Sequence, residues 1–138
     1  MKGWEGDPME DFLIEILESF GYPVYRQGSL TKKEYPDHFF TFWNSDTPDH
    51  SHYDNQTYGY EWSFMVNFYS IDPALAYSSL ESARLLLKQN GWTIPGKGYD
   101  VASDEPTHTG RGMTALYLET DKDFSFIQDG GGRFLIAQ

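Results

Sequence analysis

The stretch from Tyr58 to Gly91 constrains the fold of this chain most, because its hydrophobic period changes once along its length. Its first half alternates between large apolar side chains and mostly polar ones, and the apolar set is Tyr60, Trp62, Phe64, Val66 and Phe68. A period of two predicts a long strand with one apolar face. From Asp72 onward, apolar residues recur at helical spacing. Asp72 is a favourable N-cap, Pro73 suits the first helical position, and Asn90-Gly91 supplies a C-cap.

The remaining elements follow from the same patterns. Apolar residues at helical spacing predict a first helix over residues 8–20, which Gly21 ends. Short apolar or alternating runs predict four more strands, at residues 22–26, 38–44, 92–103 and 112–120. Two polar segments, residues 45–57 and 104–110, are predicted to be a long loop and a turn.

This order of elements predicts an α+β fold. We expect a mostly antiparallel sheet of four to five strands, with two helices packed on one face. Residues 1–120 are predicted to form a single domain, and residues 121–138 a C-terminal extension, either a hairpin or an arm that orders against a partner. A chain of 138 residues fits one domain with a sizeable core.

Composition narrows the classes of function. The chain has no cysteine, which excludes disulfides, thiolate metal sites and a cysteine nucleophile. Its N-terminal residues are acidic and lack a long apolar run, so neither a signal peptide nor a membrane span is expected. The aromatic content of 17% favours a β-rich core with wide contact surfaces over ligand stacking.

The charge distribution disfavours nucleic-acid binding. The formal net charge is −11, and no lysine or arginine occurs between Lys33 and Arg84, a stretch that contains eight acidic residues. Such an acidic surface repels phosphates, so we expect DNA to pass it without specific binding.

One group of residues in the 45–57 loop has the chemistry of metal ligands. His50, His52 and Asp54 alternate, and imidazole and carboxylate groups suit zinc. No HExxH motif, second histidine pair or cysteine supports that interpretation. A solvated loop tip is therefore preferred, and no metal site is predicted.

A second polar group lies between Ser103 and Gly112. Asp104, Glu105 and His108 could perform acid–base chemistry if they converged in a pocket. No GxSxG, Walker A or GxGxxG motif accompanies them, and Asp-Glu-Pro is ordinary turn sequence. The preferred hypothesis is a protein that is not an enzyme and has no cofactor, with an enzyme or small-ligand binder using these three residues as the alternative.

Several phrases in the sequence resemble one family of proteins. They are Gly21-Tyr-Pro-Val-Tyr25 after the first helix, Tyr35-Pro-Asp-His-Phe-Phe-Thr-Phe-Trp43, the loop Tyr53-Asp-Asn55, Trp62–Ser70 leading into the second helix, Gly98-Tyr-Asp-Val101, and Ser103–Gly112. Together with the order of elements, these phrases resemble the tail terminator, tail-completion and head–tail joining proteins of long-tailed phages and prophages of Gram-positive bacteria. The resemblance covers residues 8–120 and contains no catalytic signature.

The resemblance implies a virion protein that forms a ring, commonly a hexamer, on the head-proximal end of the tail tube. Such a ring is assembled in the host cytoplasm, ends tube polymerisation and provides the docking surface for the head connector or stopper protein. The implied partners are further copies of the chain, the tail tube protein and that connector, with DNA passing through the lumen and no membrane involved. Candidate residues for subunit or tube contact, or for the lumen, are Asp46, Asp49, His50, His52, Asp54, Asp104, Glu105 and Arg111. A head-completion or stopper protein and a minor tail protein without a ring remain alternatives.

Overall fold

The computed structural model describes residues 8–30, 35–47, 52–53, 56–57 and 59–120. The predicted hairpin or arm at residues 121–138 lies outside these described residues. Within them the chain forms, in order, helix α1 (Pro8–Glu18), strands β1 (Val24–Arg26), β2 (His38–Asp46), β3 (His52–Tyr53), β4 (Gln56–Thr57) and β5 (Gly59–Ser70), helix α2 (Pro73–Gln89), and strands β6 (Tyr99–Val101) and β7 (Thr109–Thr120).

Five strands form the main sheet in the order β1-β2-β5-β7-β6. Every neighbouring pair is antiparallel except β1 and β2, which run parallel. The long strands β5 and β7 pair over their whole length, from Gly59 opposite Thr120 to Ser70 opposite Thr109. Both helices pack on one face of this sheet and share its apolar core. The predicted α+β fold with a mostly antiparallel sheet is therefore confirmed.

The strand-to-helix unit of the central stretch forms as predicted. The Asp72 side chain accepts a hydrogen bond of 3.0 Å from the Ala74 N–H, which satisfies one of the free donors at the start of α2. Pro73 follows at the first helical position. At the other end, Gly91 adopts a φ of 94°, a conformation that glycine reaches without a steric penalty.

The apolar face of β5 supplies the centre of the core. Phe64, Val66 and Phe68 are fully buried against the helices, while Trp62 is half-buried and stacks on Phe64 with a centroid separation of 5.9 Å. The neighbouring strands and both helices complete this layer with Leu13, Leu17, Phe40, Phe42, Leu80, Leu87, Met113 and Ala115. Alternation along the strands therefore places one set of side chains under the helices and leaves the other set on the opposite face.

The predicted strand over residues 92–103 is mostly wrong. Only Tyr99–Val101 forms a strand there, and Thr93 makes an isolated bridge with Leu116. Gly96 and Gly98 adopt positive φ values of 73° and 102°, which turn the chain and interrupt any continuous strand. β7 begins at Thr109 rather than at residue 112, so the predicted turn is shorter than expected.

The loop predicted over residues 45–57 also differs from expectation. β2 continues to Asp46, with an irregular register where Asp46 pairs with Ser63. β3 and β4 then form a separate two-stranded sheet within the segment. The segment therefore contains strand pairing that its polar composition gave no reason to expect.

Candidate functional site

The face of the sheet opposite the helices, termed here the open face, carries a mixed set of side chains. Phe39, Thr41 and Trp43 of β2 lie beside Tyr69, Asn67 and Met65 of β5. On β7 the neighbours of Tyr69 and Asn67 are Gly110 and Gly112. The open face is therefore aromatic at one strand and nearly bare at the next.

Gly110 and Gly112 leave room for large side chains that lie across β7. An added Cβ at Gly110 would approach the Tyr69 ring and Val101 to 2.7 Å, and one at Gly112 would collide with the amide oxygen of Asn67. Real Cβ atoms do not come this close, so the two glycines allow Tyr69 and Asn67 to lie flat over β7. Tyr69, held over Gly110 in this way, lines a cavity.

A cavity of about 190 Å³ opens on this face beside β1, and is termed the open-face cavity. Its lining comprises Arg26, Gln27, Gly28, Leu30, Tyr35, Phe39, Thr41, Tyr69, Ala102, Ser103 and Asp104. The Phe39 and Tyr69 rings stack with their centroids 5.3 Å apart and 28° between their planes. The Tyr35 ring lies 5.5 Å from Phe39. Three aromatic rings therefore meet at one cavity, drawn from the loop before β2, from β2 itself and from β5.

Polar groups occupy defined places in the same cavity. The Tyr35 hydroxyl donates to Asp104 Oδ2 over 3.4 Å, and the Tyr69 hydroxyl accepts from Asn67 Nδ2 over 3.4 Å. Thr41 is buried, and its Oγ1 makes no hydrogen bond of ordinary geometry within the described structure. Thr41 therefore contributes a buried polar side chain to the wall of the cavity.

The environment of the cavity favours neutral tyrosines. Burial, followed by the nearby Asp104 charge, raises the pKa of Tyr35 above its ordinary value of 10.0. Burial also raises the pKa of Tyr69, and the Asp104 charge adds to that effect, while hydrogen bonding to Asn67 and Thr41 opposes it. Both phenols therefore remain protonated near neutral pH and act as neutral hydrogen-bonding groups.

His108 supports the cavity from behind rather than lining it. Its Nε2 lies 2.8 Å from the Pro36 carbonyl oxygen, and because a carbonyl can only accept, Nε2 carries the proton and donates. Its Nδ1 then accepts from the Thr107 hydroxyl over 3.0 Å. The ring meets Tyr35 and Phe39 edge to face. Both nitrogens are occupied, so this histidine holds the aromatic wall in position.

The predicted cluster of Asp104, Glu105 and His108 does not form a joined catalytic group. Asp104 lines the cavity and pairs with Tyr35, whereas His108 bonds to Pro36 and Thr107. The contact between Glu105 and His108 is a backbone hydrogen bond of 3.0 Å, from the His108 N–H to the Glu105 carbonyl. No hydrogen bond joins the three side chains to one another within the described residues.

The predicted contact residues lie in separate places. Asp46 is exposed at the end of β2 opposite Ser63, whereas the cavity lies near Tyr69, six residues or roughly 20 Å further along β5. Arg111 lies on the helix-covered side, where it binds Asp100 over 2.9 Å and stacks on Tyr77. Asp49, His50 and Asp54 fall outside the described residues, and His52 belongs to β3.

The described part of the chain contains neither a cluster of metal ligands nor a helix suited to a membrane. No group of three or more histidine, aspartate or glutamate side chains there could hold a metal ion. No helix among the described residues has the length and apolar character needed to cross a membrane. The sequence matches no protein-family model and no curated protein.

Sequence reasoning missed most of the cavity residues. Phe39 and Thr41 stand in an aromatic run that predicts a strand, Tyr35 stands in the predicted loop before it, and Tyr69 stands at the end of another strand. The available signals were the threonine within that aromatic run and the Gly-Arg-Gly phrase within a strand, since glycine in a strand often marks a close approach. Neither signal specifies which side chains meet, because the cavity joins segments far apart in sequence.

Proposed function

We propose that this protein is a phage virion structural protein that forms a ring, a hexamer, at the head-proximal end of the tail tube. The ring ends tube polymerisation and offers a docking surface to the head connector. The observation that supports this proposal most directly is the projecting end of β5 and β7, termed here the terminal ribbon. It comprises Gly59–Trp62 of β5 and Tyr117–Thr120 of β7.

Among the described residues, the backbone pairing on both outer sides of the terminal ribbon stops before the ribbon ends. On one side, the pairing of β2 with β5 ends where Asp46 meets Ser63. On the other side, β6 pairs with β7 only from Gly110 to Gly112, and the isolated bridge of Thr93 ends at Leu116. Among the described strands, the ladders on either side of the ribbon therefore stop short of its end. A free strand edge is a ready template for pairing with another chain.

The ribbon also presents apolar side chains on both of its faces. Tyr60 is 40% exposed on the side of the helices, and Leu118 is 43% exposed on the open face. Trp62 is half-buried, and its Nε1 donates to Glu119 over 2.6 Å, which stiffens the ribbon. An apolar surface of this kind is stabilised by burial against a neighbouring subunit, and a head-to-tail contact produces a ring when its rotation closes.

The acidic character of the chain suits a passage for DNA. Glu61 and Asp46 are exposed near the ribbon, and the 138-residue sequence carries a net charge of −11 that each copy would add to a ring. A negative lumen repels the phosphate backbone and lets it slide past. The partners in this proposal are further copies of the chain, the tail tube and the head connector, within the virion. The second candidate is a head-completion or stopper protein, which would use the same ribbon on the connector side.

The test is electron microscopy of the purified protein, alone and mixed with tail tubes, combined with native mass measurement. We expect rings, and caps at one end of the tubes. Leu118→Lys should give monomers, because a charge within an apolar subunit contact is costly to bury. Ile71→Lys is the matched control, since Ile71 is 46% exposed just beyond the end of β5 opposite the ribbon. Wild-type protein that stays monomeric and leaves tube ends bare would refute the proposal.

A further inference from the structure

We propose that the open-face cavity binds an organic cation that carries N–H donors, an alkylammonium or guanidinium group of the kind found at the end of lysine and arginine side chains. The proposal rests on two kinds of group that line one cavity: aromatic rings and a carboxylate. The cavity adjoins Tyr69, at the opposite end of β5 from the terminal ribbon, so the proposal is independent of ring assembly.

The rings provide the first part of a cation site. The Tyr35, Phe39 and Tyr69 rings all line the cavity, and Phe39 contacts the other two at centroid separations of 5.5 and 5.3 Å. Aromatic faces carry partial negative charge and attract cations within about 6 Å. Several rings around one space form the usual enclosure for an organic cation.

The charge of the lining residues also favours a positively charged ligand. Asp104 contributes a carboxylate, and its charge acts on both tyrosines, as the raised pKa values of Tyr35 and Tyr69 show after the larger effect of burial. Arg26 is the cation among the lining residues. Its guanidinium binds the Glu10 carboxylate of α1 and lies over the Phe42 ring, which is on the helix-covered side. The lining therefore leaves a negative potential for a ligand.

Asp104 narrows the choice of cation. Its carboxylate lines the cavity and accepts hydrogen bonds, so a ligand N–H group can donate to it and a quaternary ammonium cannot. The site therefore favours primary ammonium or guanidinium groups over fully methylated ones.

The experiment is an NMR titration of the full chain with small probes that differ only in charge. N-acetyl-lysine methylamide is compared with its norleucine counterpart, which keeps the aliphatic chain and lacks the ammonium group. We expect the lysine probe to shift the Tyr35 and Tyr69 ring signals and to bind about tenfold more tightly than the norleucine probe. Equal binding of the two, or saturation by neither, would overturn the proposal.

A further probe distinguishes a free cation from a side chain on another protein. If n-butylammonium binds as tightly as the lysine derivative, the cavity recognises a free alkylammonium. Tighter binding of the lysine derivative indicates that the cavity also binds its acetyl and methylamide groups, as expected for a side chain presented by a protein. Tetramethylammonium should bind more weakly than either, because it cannot donate to Asp104.

Matched variants test the carboxylate. Asp104→Asn keeps the shape of the side chain and should weaken the lysine probe about fivefold. Glu61→Gln removes the same charge from the same sheet face, eight residues or roughly 27 Å along β5 from Tyr69, and should leave binding unchanged. Tyr35→Leu tests the ring wall and should abolish the preference for the charged probe. Asp104→Asn protein that is folded and binds as tightly as wild type would contradict the site.

Discussion

The two faces of the sheet use the same strands for different purposes. Under the helices, Phe40, Phe64 and Phe68 are fully buried and form a continuous apolar layer. One residue away along β2 and β5, the open face holds Thr41, a half-buried Tyr69 and a cavity. Adjacent residues on these strands therefore lie on opposite faces, one in the core that stabilises the fold and the next on the surface available for binding.

The comparison shows how the chain can vary one face without losing the other. Side chains alternate strictly along a strand, so the core is set by every second residue. The open face tolerates two glycines in the long strand β7 and a polar cavity wall, because the helix layer supplies most of the apolar burial. These features lie on the face that carries the candidate site.

The largest expected effect tests the division between the faces. Phe64→Ala should lower the free energy of unfolding by about 3–5 kcal/mol, because it removes a fully buried ring from the core. Met65→Ala, on the next residue and the open face, should cost only about 1 kcal/mol, since Met65 is half-buried. Chemical denaturation of both variants measures the difference. Equal losses would show that the open face is covered in the working protein.

The next effect tests why β7 carries glycine where the open face is crowded. Gly112→Ala should cost about 1–3 kcal/mol, because its Cβ would displace the buried Asn67 side chain and press on Tyr99 and Val101. The variant is measured by thermal or chemical unfolding. Combining it with Asn67→Ala removes the main collision, so the double variant should lose less stability than the two single losses added together. Strict additivity would mean that Asn67 does not hold this position.

Much of the fold follows from the sequence because local signals agree with the tertiary packing. The alternation of Phe64, Val66 and Phe68 identified the buried face of β5, and Asp72 with Pro73 identified the start of α2. The signals failed where glycines and tertiary bridges decide the outcome. In residues 92–98, the apolar residues Trp92 and Ile94 are buried as a strand pattern predicts. Positive φ values at Gly96 and Gly98 nevertheless prevent a strand.

The candidate site was less predictable than the fold. Asp104 was selected from its polar surroundings, and it does line the cavity, but the partners expected for it were Glu105 and His108. Its actual neighbour is Tyr35, 69 positions away, brought close by the order of strands. Pairing of β2 with β5 and of β5 with β7 creates this contact, and no local pattern encodes which strands lie side by side.

A smaller effect on the free energy of unfolding is expected at the start of α2, one of the helices that cover the buried face of the sheet. Asp72→Ala should lower the free energy of unfolding by about 1 kcal/mol, because the Ala74 N–H loses its acceptor at the start of α2. Asp72→Asn is the control, since asparagine caps helices nearly as well and should cost little. Thermal unfolding of the pair provides the measurement. A loss as large for asparagine as for alanine would point to the negative charge rather than the hydrogen bond.

The smallest expected effect is a change in the pKa of two tyrosines on the open face. Burial raises the pKa of Tyr69 above 10.0, and the Asp104 charge adds to that rise, so Asp104→Asn should move the pKa back toward 10.0. The same substitution should lower the pKa of Tyr35, which hydrogen-bonds to Asp104. NMR signals of the tyrosine rings, followed against pH, measure both values. Glu61→Gln, distant on the same face, should leave them unchanged.

The sign of the accompanying stability change follows from linkage. Because the folded-state pKa of each tyrosine is raised, its stabilising contribution is complete below the unfolded-state value of about 10 and declines as the pH rises toward the folded-state value. Tyr69→Phe should therefore reduce the loss of stability of the wild type between neutral pH and alkaline pH. The helix-covered face offers a contrast, since the fully buried Phe64, Val66 and Phe68 there have no proton to lose. An unchanged alkaline slope in Tyr69→Phe would show that this phenol is solvated in the folded protein and that the cavity wall is more open than its geometry indicates.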